Sequence, residues 1–207
     1  ESNSIKRAIN WFNKKFNKDQ GFRIKLKKNI PIGAGLGGGS SNCATTLKFL
    51  CDYHGEDIST LDLEEICFSL GADVPVFLKG FSSYAEGCGE ILKEKYSTNS
   101  SYLMLIPNIF ISTKKIFDSK FLSFDTKIDK SINSLLNVLL REDEVFNEQY
   151  FGLESLLGAH IFKKIKLSGS GSAMFIQDPE KMEINLICDK IENSFRVFQV
   201  KALEYYH

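Results

Sequence analysis

No excess of charge of either sign marks this chain. Lys and Arg number 26 together, Asp and Glu 26 together, and the formal net charge is zero. That balance removes the usual footing for nucleic-acid or membrane-surface binding and leaves only a local basic patch as a route to it. No apolar run approaches the ~20 residues of a membrane-spanning helix. No Cys-x-x-Cys pair occurs, and the five cysteines (Cys43, Cys51, Cys67, Cys88 and Cys188) are an odd number. Cys43, Cys51 and Cys67 fall on apolar positions of predicted helices. Buried, reduced thiols are therefore expected, and with them a reducing compartment: the cytoplasm, or the lumen of a plastid-type organelle. Internal repeats and long low-complexity tracts are also missing. What remains is 207 residues, 43% hydrophobic and 25% charged, enough to bury a core without disulfides.

The hydrophobic spacing reads as alternating helices and strands. Ile5, Ala8, Ile9, Phe12 and Phe16 predict an amphipathic helix over 3–17. Phe22, Ile24 and Leu26 alternate with Arg23, Lys25 and Lys27, which predicts a half-exposed strand ended by Pro31 and the glycines. Cys43, Ala44, Leu47, Leu50 and Cys51 mark the inner face of a second helix stopped by Gly55. Leu63, Ile66, Cys67 and Leu70 mark a third, with Ser59 or Thr60 as its cap and Gly71 as its stop. A short turn over 72–79 carries Asp73 and Pro75, and two strands flank Gly87-Cys88-Gly89 within 81–96. The polar stretch Lys95–Ser101 divides the chain into domains at 1–98 and 99–207. The second half predicts strand 102–106, helix 113–121, helices between 131 and 162, strands 164–168 and 173–177, helix 180–192 and strand 195–200. That order fits an α+β layer with helices on one face of an antiparallel sheet.

Five glycines fall within the seven residues Gly33-Ala34-Gly35-Leu36-Gly37-Gly38-Gly39. Ser40, Ser41 and Asn42 follow, opening the second predicted helix. Glycine admits positive φ and lets a bulky group reach the main chain. A helix start supplies amide N–H groups without intrahelical partners and the positive end of the dipole. The combination suits phosphate oxygens, and the serine hydroxyls can reach a phosphate or a magnesium ion. Three readings compete. A plain flexible turn needs only one or two glycines. A dinucleotide-binding turn matches G-x-G-x-x-G at Gly33, Gly35 and Gly38, but the preceding segment alternates charged and apolar residues, unlike a central parallel strand. A nucleoside-triphosphate loop is the third. It is not of the G-x-x-x-x-G-K-[ST] type, because no lysine follows the glycines.

Asp73 is the single acid in Gly71-Ala72-Asp73-Val74-Pro75-Val76-Phe77. It either caps the turn that follows or accepts or orients the proton of an attacking hydroxyl in phosphoryl transfer. A second run, Ser168-Gly169-Ser170-Gly171-Ser172, lies between two predicted strands. It is either a flexible hairpin or a second backbone surface closing on a ligand.

These three stretches, in this order, resemble the signature motifs of the GHMP kinase superfamily. Within it the letters lie nearest to the branch of 4-diphosphocytidyl-2-C-methyl-D-erythritol kinases, through Pro31–Asn42, Leu70–Phe77, Tyr84–Glu90 and Leu167–Ser172. The resemblance implies a two-lobed α+β fold, with a mixed-sheet ATP-binding lobe and a ferredoxin-like second lobe. It implies ATP and Mg²⁺ as cofactors and a cytidine-diphosphate alcohol as the small-molecule partner, with phosphorylation of its 2-hydroxyl. No nucleic-acid, membrane or dedicated protein-held metal site is implied. Asp73 matches the catalytic aspartate, and Gly33, Gly35, Leu36, Gly37, Gly38, Gly39, Ser40, Ser41 and Asn42 match the ATP phosphate loop. Pro107–Phe117 resembles the segment with cytidine contacts, which assigns Thr113 a polar contact and Phe117 a ring that stacks on cytosine. The other role open to Phe117 is helix core. Gly169, Ser170 and Gly171 match the substrate-side glycine run.

Two departures accompany the match. The family's Pro-Ala-Lys-Ile-Asn-Leu strand, whose lysine works beside the aspartate, and its Asp-Gly-Tyr-His motif are not in these letters. The expectation is that the chain starts downstream of both. The family's Asn-Asp-Leu-like pattern has only a weak echo at Phe151-Gly152-Leu153-Glu154, which leaves room for an omitted stretch near 146–162. Two other outcomes stay open: a GHMP kinase for another alcohol, of mevalonate or homoserine type, and a non-catalytic nucleotide-binding module.

Overall fold

The amphipathic spacing at the start of the chain becomes helix α1 (Ser4–Lys15), begun by the Asn3 side chain accepting from the Ile5 N–H at 3.0 Å. The computed structural model to which it belongs describes residues 3–95, 99–122, 133–191 and 194–203. Within them the chain divides into two units. The first holds 3–29, 37–95 and Leu203; the second holds 30–36 and the described residues from 99 to 202. The domain boundary expected between 98 and 99 adjoins 96–98, which lie outside the described residues.

In the first unit α1 is followed by α2 (Gly38–His54), α3 (Asp62–Leu70), α4 (Val74–Lys79) and the antiparallel hairpin β1 (Ser83–Glu86) and β2 (Ile91–Glu94). Ala8, Trp11 and Phe12 of α1 pack with Cys43, Ala44, Leu47 and Leu50 of α2, Ile66 and Leu70 of α3, and Val74 of α4. Each fully buried Leu or Phe stabilises the unit by about 1.5–3 kcal/mol. Gly55 ends α2 in the left-handed region, and the Gly71 N–H closes α3 on the Ile66 and Cys67 carbonyls. The expected serine cap of α3 is reversed. Leu61 holds the cap position, and Asp62 accepts from the Ser59 N–H at 2.9 Å and the Ser59 hydroxyl at 2.8 Å. Lys15 pairs with the same carboxylate at 2.5 Å. Burial alone would raise the Asp62 carboxyl; the hydrogen bonds from Lys15 and Ser59 outweigh it and hold the group below its ordinary value.

Two expectations for this unit are corrected. The turn over 72–79 is the helix α4, because Pro75 sits in its first turn with φ already set and Val74 and Pro75 are buried. Residues 22–26 form no paired strand among the described residues. Ile24 is 46% and Leu26 44% exposed, and a strand needs a neighbour to take its ladder hydrogen bonds. The mixed sheet expected for this lobe is represented among the described residues by the β1–β2 hairpin alone.

The second unit contains β3 (Ser101–Pro107), α5 (Thr113–Phe117), α6 (Leu135–Glu142), α7 (Glu144–Leu157), α8 (Ala159–Phe162), β4 (Lys166–Leu167), β5 (Met174–Gln177), α9 (Lys181–Ile191) and β6 (Phe195–Lys201). The helices expected to begin at 131 and end at 192 start or finish on residues outside the described ones. The strands pair antiparallel in the order β4-β5-β3-β6. Taking β3 as the first strand, this is the 2-3-1-4 order of a ferredoxin-like β-α-β-β-α-β layer. Leu103, Leu105, Met174 and Ile176 of the central strands meet Leu139, Phe146, Leu153 and Ile187 of the helices to form the core. Among the described residues no helix is long and apolar enough to cross a membrane.

Candidate active site

The glycine run is shared between the two units at Leu36 and Gly37, and its two parts are built differently. In the first unit Gly37 caps α2 at φ 65°. An added Cβ there would stand 2.8 Å from the Phe77 ring of α4, so only glycine lets the helix start lie against that ring. The start of α2 carries no side-chain cap and no acidic residue in its first turn. The Ser41 N–H bonds back to the Gly37 carbonyl at 2.9 Å. The amides of Gly38, Gly39 and Ser40 precede that bond and have no place in the intrahelical pattern. Space beside Gly39 is open. The Asn42 side-chain nitrogen is buried without a hydrogen-bond partner, a donor that an oxyanion would satisfy. A cavity of about 420 Å³ adjoins this start, lined by Ser41, Val76, Phe77, Gly80, Phe81, Ser82 and Leu203.

Asp73 stands at the N-cap position of α4, the helix whose Phe77 touches Gly37. Its side chain makes no capping bond, and the residue is exposed. The cap role left open by the sequence is therefore not the one it plays. Its carboxylate has no hydrogen-bond or ion-pair partner among the described residues. Lys15, in α1's last turn, is committed to Asp62 and Glu65.

In the second unit the earlier glycines are packed by protein. The Ile111 N–H reaches the Gly33 carbonyl at 3.4 Å, and the Ala173 N–H donates to the Ala34 carbonyl at 3.0 Å. The Ser168 hydroxyl donates to the Gly35 carbonyl at 3.0 Å. A Cβ at Gly33 would collide with the Phe110 ring. At Gly35 it would collide with the Ser168 carbonyl and lie 2.7 Å from the Gly171 nitrogen. Gly169 carries φ 53° with the Gly35 carbonyl beneath it. The first part of the glycine run and the second glycine run thus form one backbone surface, a contact that no sequence spacing announced. Thr113 lies beside it, its hydroxyl 3.2 Å from that of Ser170, which is 6% exposed. Phe117 is 53% exposed while Ile116 next to it is buried, so the core role open to Phe117 in the sequence belongs to Ile116.

Sequence reasoning did not single out Phe81, Ser82 or Leu203 at the cavity, which gave no motif, and it quoted Phe77 as a letter of a motif without its contact to Gly37. It also missed Ser168 and Ala173 as anchors of the loop, whose signal is purely tertiary.

Comparison with known proteins bears on the family of the chain. Residues 3–81 match the family described as GHMP kinases N terminal domain. A Francisella tularensis subsp. holarctica protein named 4-diphosphocytidyl-2-C-methyl-D-erythritol kinase is 36% identical over 99% of this chain and 75% of its own length. A Hahella chejuensis protein of the same name is 35% identical over 88% of this chain and 64% of its own. The crystal structure of a 4-(cytidine 5'-diphospho)-2C-methyl-D-erythritol kinase superposes with a TM-score of 0.70 at 26% identity, covering 97% of this chain and 78% of that one. A homoserine kinase from Cytophaga hutchinsonii superposes at 0.67 with 15% identity, over 99% of this chain and 77% of that one, a likeness of fold. An uncapped glycine-rich helix start, a carboxylate left without a protein partner and a match over nearly the whole sequence lead to one conclusion: the chain belongs to the GHMP kinases, ATP-dependent enzymes that phosphorylate small molecules.

Proposed function

We propose that this chain transfers the γ-phosphoryl group of ATP to the 2-hydroxyl of 4-diphosphocytidyl-2-C-methyl-D-erythritol, a step of non-mevalonate isoprenoid precursor synthesis. One observation carries the reading. Asp73 heads α4 with its carboxylate unpaired, and the same helix holds the start of α2, whose first-turn amides carry no cap.

In this reading the amides of Gly38, Gly39 and Ser40 bind phosphate oxygens, and the dipole of α2 favours the charge that builds on them. Gly33, Gly35, Leu36 and Gly37 hold the loop in shape, and Asn42 offers its unpaired nitrogen. Asp73 accepts the hydroxyl proton while the alcohol oxygen bonds to the γ-phosphorus and the bond to ADP breaks. The Ser40 and Ser41 hydroxyls are hard oxygen donors, the type that suits Mg²⁺, which when bound with ATP neutralises phosphate charge. Thr113 with Gly169, Ser170 and Gly171 forms a polar surface for the substrate, and Phe117 offers a ring face to cytosine. The two lobes divide near 98 and 99, the partners are small molecules rather than nucleic acid or membrane, and the free cysteines suit a cytoplasmic setting.

The test is ADP release by the protein with ATP, Mg²⁺ and each of three alcohols: the cytidine-diphosphate compound, mevalonate and homoserine. The expected result is turnover with the first alone. Preference for either of the others, or ATP binding without ADP release with all three, overturns the assignment.

A further inference from the structure

Outside the groups just assigned, Cys67, Cys88 and Glu90 bring two sulfurs and a carboxylate oxygen within 4.8 Å of one another. The donors come from two separate segments. Cys67 lies on α3 and is 5% exposed, whereas Cys88 and Glu90 sit half-buried on the turn joining β1 to β2. That turn is fastened in place. A Cβ at Gly89 would collide with the Ala72 carbonyl, so the hairpin tip rests on the residue before Asp73. A Cβ at Gly87 would collide with the Glu90 carboxylate, so glycine there is what lets the Glu90 side chain fold back over the turn. The Cys88 N–H donates to Glu90 Oε2 at 2.8 Å. The carboxylate is thus oriented by the turn before any ligand arrives, as supporting hydrogen bonds orient ligands in metal sites.

Two sulfurs and a carboxylate oxygen thus converge from two separate segments at a spacing one cation can span. The donor set also selects the ion. Sulfur suits zinc-class metals and is the wrong partner for Mg²⁺, which takes oxygen.

We propose that Cys67, Cys88 and Glu90 form a binding site for one divalent cation of the zinc class, with water as the fourth ligand of a tetrahedron. Binding replaces the two thiol protons by two metal–sulfur bonds, so a dication enters and two protons leave to solvent. The ion ties α3, the hairpin tip and the chain entering Asp73 into one cross-linked patch. This inference does not depend on the kinase reading, because it is read from the metal and not from turnover.

The reduced chain is titrated with Cd²⁺ while the ultraviolet charge-transfer band of cadmium thiolate is followed. One equivalent binds, with proton release measured in weak buffer. Cys88→Ser, at a half-buried position, weakens Cd²⁺ binding about 100-fold and Glu90→Gln about tenfold, whereas Cys188→Ser leaves it unchanged. Co²⁺ bound to the unmodified chain gives the intense visible bands of tetrahedral thiolate coordination, a readout that needs no variant to fold. The proposal is overturned by absence of the cadmium band, by an affinity that survives Cys88→Ser, or by the weak bands of octahedral cobalt.

Discussion

The two parts of the glycine run obey different rules. Gly33 and Gly35 are glycine because protein fills the space a side chain would take: Phe110 at one, the Ser168–Gly171 backbone at the other. Gly39 faces open space within the first turn of α2, so nothing in the protein requires glycine there. The first two are explained by packing; the third leaves the backbone open, as the proposed approach of ATP phosphates requires. The same division separates Asp62, which is fully partnered, from Asp73, which is not.

Substitutions on the two sides of this division have opposite signatures. The largest effect is expected at Asp73. Asp73→Asn lowers kcat about 100- to 10,000-fold while ATP affinity and the unfolding midpoint stay unchanged; a kcat near that of the parent removes Asp73 from the chemistry. Gly35→Ala forces a side chain onto a left-handed backbone against main-chain atoms, and costs about 2–4 kcal/mol in denaturant unfolding. Phe117→Ala, at an exposed ring, raises KM for the cytidine-bearing substrate by about 1–3 kcal/mol in binding and leaves stability alone; a fall in stability instead would return the ring to a packing role. Gly39→Ala gains about 0.5–1 kcal/mol of helix stability yet raises KM for ATP about tenfold, near 1.4 kcal/mol. Better folding with poorer nucleotide binding in one variant is the sharpest form of the contrast. The smallest effect is in pH. Asp62 titrates below its ordinary value when folded, so its contribution is complete above the unfolded value and is lost as pH falls through the folded one. Asp62→Asn should flatten the acid limb of a thermal-unfolding profile below about pH 4.

Much of this was legible in the letters because local chemistry decided it. Ile5, Ala8 and Phe12 announced α1, Gly55 and Gly71 stopped their helices where expected, and the glycine-serine run opened a helix as its letters indicated. The antiparallel layer of the second unit, with helices packed on it, followed from its element order. The failures share a cause. The segment 22–26 has strand alternation, but pairing depends on a neighbour that its own residues do not specify. Ser59 and Asp62 exchanged roles because either can cap and tertiary contact with Lys15 chose between them. The packing of Gly35 under Ser168 links residues more than a hundred positions apart, and no periodicity encodes such a contact. Phe117 and Ile116 are adjacent apolar residues on a one-turn helix, too short for spacing to say which faces inward.

One buried sulfur carries a practical consequence for anyone handling the protein. Cys43 is 1% exposed, and burial pushes its thiol up to about 11, so at neutral pH only about one in ten thousand is the reactive anion. Alkylating reagents and peroxide should therefore leave it untouched for as long as α2 keeps its place in the core. Its sudden labelling would then serve as a clock for the opening of that helix.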